Sequence, residues 1–130
     1  MFTVTLAAEA ARYENFRTVL HTGKHTQVVA MTLQPGEDIG AEVHPDNDQV
    51  LVFTDGTARA EVAGETRELS AGDLVVVPAG TEHNFTNTGS GKLRLITIYG
   101  PPDHAPDTVH KTKAEAEEAE AHGEDEPQLD

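Results

Sequence analysis

The sequence predicts an all-β domain, a sandwich or small barrel of many short strands, and three observations carry that prediction. Between residues 16 and 99 the apolar residues fall into runs at 28–33, 50–54, 58–62, 73–77 and 93–99, rich in Val, Ile, Thr and Leu. These residue types suit a pleated, half-buried surface. Turn signals separate the runs: Gln34-Pro35-Gly36, Thr54-Asp55-Gly56, Ala63-Gly64-Glu65, Pro78-Ala79-Gly80 and Thr88-Gly89-Ser90-Gly91. No helical period runs through this region, and short strands at such spacing favour a sandwich or barrel.

Each element has its own justification. In TARAEVAGETREL, Ala58, Ala60 and Val62 alternate with Arg59 and Glu61, which predicts a hairpin turning at Ala63-Gly64. Gln49, Leu51 and Phe53 share one face of the run that follows Asp48, because side chains alternate along a strand. By the same rule His83, Phe85 and Asn87 share a face. After Tyr99 the segment GPPDHAPD cannot continue a central strand, since proline lacks the ladder donor. TKAEAEEAEA then combines helix formers with almost no apolar face, and Glu117, Glu118 and Glu120 repel one another. A short surface helix on a solvated end is expected there, with the last residues, HGEDEPQLD, disordered.

These elements divide the 130 residues into an N-terminal segment (1–15), one β-barrel domain (16–104) and an acidic C-terminal tail (105–130). The absence of Cys excludes disulfides, thiolate zinc sites and Cys nucleophiles. The formal net charge is −14, with 15 acidic and 7 basic residues up to position 110 and 8 and 2 beyond it. A field of that sign repels nucleic acid and anionic lipid, so neither is an expected partner. No apolar run is long enough to span a membrane, and MFTVTLAAEAARYENFR has no basic leader before an apolar block. A cytoplasmic location is expected.

The stretch EVHPDNDQ, residues 42–49, is crowded with potential metal ligands. Glu42 and His44 project together on a strand, Pro45-Asp46-Asn47 reads as a turn, and Gln49 opens the next strand. A hairpin would bring Gln49 beside them. Two His and a carboxylate converging with open positions suit non-haem Fe(II) and related divalent metals. Periodicity leaves open whether His83 converges with them.

Two motifs in register bear on that question. The first cupin motif is G-x5-H-x-H-x3,4-E-x6-G, and this chain has Gly36, five residues, Glu42-Val43-His44, four residues, Gln49, six residues and Gly56. The second is G-x5-P-x-G-x2-H-x3-N, and Gly72, Pro78, Gly80, His83 and Asn87 match it without deviation. The sequence thus resembles a small single-domain cupin of the RmlC-like jelly-roll superfamily. The resemblance implies a double-stranded β-helix barrel in which Glu42, His44, Gln49 and His83 surround one divalent metal, Fe, Mn, Zn, Ni or Cu. Glu42 stands where the family has its first His and Gln49 where it has Glu, an exchange that preserves the net ligand charge. Alternatively Gln49 swings away and Asp48 or His25 joins.

A narrower resemblance is to small cupins labelled mannose-6-phosphate isomerase-like, carried by residues 16–49 and by YGPPDHAPDTVHKTKAEA. There the end piece either packs Pro101, Pro102 and His104 near the barrel mouth or simply crosses the surface. Such a label says little about substrate, because fold does not imply function. The acidic chain lacks a phosphate cradle and offers only Arg94, Arg59 and Lys24 as cationic contacts, against a literal phosphomannose isomerase. Neither Ser70 nor Ser90 has a nucleophile's context.

Beside a chiefly structural oligomer, two functions remain. One is a metal-dependent enzyme on a small organic metabolite, of oxygenase type with iron or isomerase type with Mn, Zn or Ni, with Tyr99, Gln27 or His25 as proton-transfer candidates. The other is a non-catalytic module binding a sugar or metabolite without metal. The family resemblance also implies a homodimer paired through outer strands.

Overall fold

Two antiparallel sheets face each other in the computed structural model, which describes residues 1–123. The strands are β1 (Arg17–Thr22), β2 (Gln27–Leu33), β3 (Asp48–Asp55), β4 (Thr57–Val62), β5 (Glu65–Ser70), β6 (Leu74–Val77), β7 (His83–Asn87), β8 (Leu93–Gly100) and β9 (Val109–His110). One sheet runs β6-β3-β8-β2-β1-β9 and the other β5-β4-β7. Residues 36–42 extend the smaller sheet along β7, with bridges at Asp38–Thr86 and Glu42–His83. This is the jelly-roll arrangement expected, and all five apolar runs lie in strands.

The predicted hairpin joins β4 to β5 with Val62 opposite Glu65. Its two turn residues, Ala63 and Gly64, have φ of 52° and 79°, the left-handed pair that a type I′ turn needs to match strand twist. Gly56, between β3 and β4, has φ of 90°, and a Cβ there would meet the Lys92 carbonyl oxygen at 2.7 Å. Only glycine fits that close approach.

Cross-strand register turns one end of the barrel polar and the rest apolar. Gln49 pairs with Tyr99, and Tyr99 with Gln27, so these three lie in one row across the larger sheet. The next rows inward are Leu51–Thr97–Val29 and Phe53–Leu95–Met31. The smaller sheet repeats the gradient along β7 and β4, from His83 beside Val62 to Phe85 beside Ala60. Leu51, Phe53, Phe85 and Leu95 are fully buried between the sheets, each contributing about 1.5–3 kcal/mol. At the opposite end Asn87 donates to the carbonyls of Leu33 and Gly91 and accepts from Gly89 N–H, tying β7 to β2 and to the turn before β8.

The N-terminal segment carries a helix that the sequence reading did not assign, and the C-terminal helix packs differently from the expectation. Within residues 1–15 a short helix, α1 (Leu6–Ala10), places Ala10 against Ala30 and Ile96 on the outer face of the larger sheet. That explains why Ile96 points away from the main core yet is buried. The expected C-terminal helix is α2 (Lys113–Ala121), capped by Thr112 Oγ1 accepting from Glu115 N–H. It is docked rather than simply solvated. Ala116 is buried in the main core, and Lys113 pairs with Asp38. Small alanines let the helix approach the barrel without an apolar stripe. Residues 109–110 pair with β1. Of the final residues 122–130 expected to be disordered, His122 and Gly123 close α2, their N–H groups donating to the carbonyls of Glu118 and Glu120, and positions 124–130 lie outside the described residues.

Candidate metal centre

The site lies at the polar end of the barrel, between the Gln49–Tyr99–Gln27 row and the Glu42–His83 bridge. Glu42 N–H donates to the His83 carbonyl and His83 N–H to the Glu42 carbonyl, both at 3.0 Å. Such a pair presents its two side chains on the same face. His44 follows Glu42 at the next position of that face, and Gly80 N–H holds it by donating to its carbonyl at 2.8 Å. Glu42, His44 and His83 thereby bring one ligand atom each to within 4.8 Å of one another. The rings of His44 and His83 lie 5.1 Å apart between centroids.

Each imidazole has one nitrogen committed outward. His83 Nδ1 is 2.9 Å from the Thr81 carbonyl oxygen, which can only accept, so Nδ1 carries the proton and Nε2 keeps its lone pair. His44 Nδ1 lies 3.3 Å from Asp103 Oδ1 and its Nε2 lies 2.9 Å from Glu42 Oε2. That second approach lacks hydrogen-bond alignment, and His44 Nε2 is a buried polar atom with no hydrogen-bond partner. Two donor atoms close together but unaligned match ligands of a common ion better than partners of each other. Burial pulls the His44 pKa down, but the nearby carboxylates of Asp103 and Glu42 outweigh it and push the pKa up to about 10.

Gln49 is 2% exposed. Its amide nitrogen donates to Thr97 Oγ1 at 3.0 Å and to the Tyr99 hydroxyl at 3.2 Å, which fixes the amide's orientation. Its Oε1 is buried with no hydrogen-bond partner. A buried acceptor left this way is costly unless something outside the hydrogen-bond network binds it. Tyr99 stands edge-on to His44 at 5.7 Å, and burial pushes its phenol pKa well up, so it stays protonated.

The remaining sequence candidates lie elsewhere. Asp48 is exposed, and its Oδ1 accepts from Ala79 N–H, holding the turn before β7. His25 is exposed between β1 and β2. Gln27 is no proton-transfer group, for both ends of its amide are engaged: Nε2 donates to Thr22 Oγ1 and the His104 carbonyl, and Oε1 accepts from the N–H groups of Asp103 and His104. The end piece does pack at the barrel mouth, with His104 buried and edge-on to Tyr99 at 5.1 Å.

Beside the cluster opens a cavity of about 370 Å³ lined by Arg17, Glu42, His44, Asp103, His104 and Glu120. Asp103 and Arg17 were not among the sequence candidates. The Asp-His pair directly after two prolines was the available signal for Asp103; Arg17, one arginine at a strand start, offered none. Burial would raise the Asp103 pKa, yet its contact with His44 and the nearby His104 and Arg17 hold it below the usual carboxylate value.

The fold and site define a small antiparallel barrel with two His and one carboxylate gathered at its polar end. The cupin-domain family profile matches residues 29–99, and the chain belongs to the cupin family. It is 43% identical over 125 residues to the uncharacterized protein YrkC of Bacillus subtilis, covering 92% of this chain and 67% of that protein. The crystal structure of BH2720 from Bacillus halodurans superposes with a TM-score of 0.89 at 41% identity, covering 91% of this chain and 94% of the other. A mannose-1-phosphate guanylyltransferase of Salmonella montevideo is 32% identical over 76 residues, 58% of this chain but only 16% of that enzyme.

Proposed function

We propose that this cupin holds a divalent metal through Glu42, His44 and His83, with Gln49 Oε1 as a fourth, weaker donor, and acts on a small organic metabolite in the adjoining cavity. The carrying observation is that His44 Nε2 and Gln49 Oε1 are among the buried polar atoms without hydrogen-bond partners. Both belong to residues placed at the family's ligand positions. Mixed imidazole and oxygen donors suit Fe, Mn, Zn, Ni or Cu. Bound there, such an ion would polarise a carbonyl or hydroxyl or support oxygen chemistry.

The chain's own residues do the rest. His83 turns Nε2 to the site because the Thr81 carbonyl engages its Nδ1 proton, and His44, whose raised pKa keeps both ring nitrogens protonated at neutral pH, would give up its Nε2 proton on binding an ion. Tyr99 stays a neutral phenol behind the ligands. The cavity, at about 370 Å³, is of small-metabolite size. Its walls carry three carboxylates, Glu42, Asp103 and Glu120, beside Arg17 and the imidazoles of His44 and His104. Arg94 is engaged with Glu14, and Arg59 with Glu61. A phosphorylated sugar is therefore a poor match, and the likeness to the guanylyltransferase supports the domain type rather than that enzyme's substrate.

Elemental analysis of protein purified without chelator tests the reading. About one divalent ion per chain is expected, lost in the His44→Ala/His83→Ala variant. No uptake of any first-row divalent metal on supplementation would overturn it and favour a metal-free binding module. The polar cavity and the close His44–Glu42 pair are what would then recognise a metabolite.

A further inference from the structure

The geometry points to Asp103 as a positioning residue for the metal centre: its carboxylate, 3.3 Å from His44 Nδ1, keeps the proton on that nitrogen and so aims Nε2 at the site. This inference rests on the metal-binding reading above and adds a residue from outside both sequence motifs. Asp103 Oδ1 lies 3.3 Å from His44 Nδ1, and Asp103 Oδ2 lies 3.5 Å from His104 Nε2. The carboxylate is thus placed between two imidazoles, of which only His44 belongs to the metal cluster.

What makes this a built arrangement is how residues 101–104 are held. They lie outside any strand or helix, and backbone without ladder partners needs other acceptors and donors. Two buried amides supply them. Gln27, fully buried on β2, accepts from the N–H of Asp103 at 3.1 Å and of His104 at 2.9 Å, and donates to the His104 carbonyl at 2.8 Å. Asn47, from the turn between His44 and Gln49, donates to the carbonyls of Pro101 and Pro102. The same short turn therefore fixes both the ligand residues and the segment carrying Asp103.

The chemistry follows from the need for a defined tautomer. A ligating imidazole needs its other nitrogen protonated and anchored, and a carboxylate partner also raises the basicity of the ligating nitrogen. His83 has the Thr81 carbonyl for that purpose. At His44 the group in that position is Asp103, a charged acceptor at 3.3 Å.

Co2+ is the probe, read by titration calorimetry and by its visible absorption, alongside crystal structures of the metal-free variants. Asp103→Leu is expected to lower Co2+ affinity about 10- to 100-fold, the usual cost of losing such a partner. It should also alter the absorption bands and release the His44 ring from its single orientation. Asp103→Asn keeps an acceptor oxygen, so it should hold the ring and lose less affinity; it also serves if the Leu variant fails to fold. Wild-type affinity, spectrum and ring orientation in Asp103→Leu, with binding lost in His44→Ala, would overturn the role of Asp103 and leave the metal centre standing. If the wild-type protein takes up no Co2+, the metal reading fails with it as the reason for positioning, while an unchanged His44 ring in Asp103→Leu would separately refute the orienting contact.

Discussion

Glu42 and His83 sit directly opposite each other across an isolated antiparallel bridge and exchange both backbone hydrogen bonds at 3.0 Å. One comes from the first motif and the other from the second, forty-one positions later. The bridge therefore couples two residues of the Glu42–His44–His83 cluster through the backbone, independently of any ion. Glu42→Gln should leave that clamp and the thermal midpoint nearly unchanged while lowering divalent-metal affinity at least about tenfold, because only the charge is removed. A calorimetric titration checks it, and unchanged affinity would show that Glu42 is not a ligand.

Gln49 occupies the position where the family has a carboxylate, and its Oε1 is buried without a hydrogen-bond partner. Gln49→Glu is expected to tighten metal binding and to destabilise the metal-free protein, since an uncompensated buried charge is costly. The gap between thermal midpoints with and without metal should widen relative to wild type. A variant with weaker binding would place residue 49 outside the coordination sphere.

Asn87 closes the second motif at the end of the barrel away from the cluster, where its three hydrogen bonds are structural. Asn87→Ala would leave buried backbone groups unpaired at about 1–3 kcal/mol for each unsatisfied group. Chemical denaturation should show that loss while metal content per folded chain stays at the wild-type level.

Docking of α2 depends on pH through Asp38. Its carboxyl accepts from Asn84 and pairs with Lys113, which together hold its pKa below the ordinary 3.8 against some desolvation. A depressed carboxylate pKa contributes stability that is complete above the unfolded-state value and is lost as pH falls through the folded one. The Lys113 contact should therefore persist at neutral pH and weaken only in strong acid. Carboxyl-carbon NMR should show the Asp38 midpoint rising towards 3.8 in Lys113→Ala. No movement would mean that Asn84 alone sets it.

Proton competition would give a metal held by Glu42, His44 and His83 a separate pH response. Imidazole lone pairs and a carboxylate must be unprotonated to ligate, so uptake should release protons and affinity should fall as pH is lowered. Calorimetry in buffers of different ionisation enthalpy measures that release; a buffer-independent heat would contradict ligation by His.

Much of the barrel was readable because strand alternation is local. Leu51 and Phe53 on β3, Phe85 on β7 and Ala58 and Ala60 on β4 face inward as their period of two requires. The hairpin at Ala63-Gly64 was equally legible, since its turn chemistry is contained in two residues. Helix α1 was not, for its five residues are held by burial of Ala10 against the sheet rather than by a capping side chain. Docking of α2 escaped notice for a similar reason, as a single buried Ala leaves no periodic apolar signature.

The sequence by itself determined the cupin barrel and singled out residues 42, 44, 49 and 83 as candidates, because motif spacing reflects strand length and turn length, which are local quantities. Only the tertiary structure decided which atoms of those residues are available. It engaged the Gln49 nitrogen with Thr97 and Tyr99 and left its oxygen without a partner, and it brought Asp103 to His44 through the Gln27 and Asn47 clamps. Those contacts join residues far apart in the chain, and the register of three strands together with an irregular segment sets them. No local pattern encodes that combination.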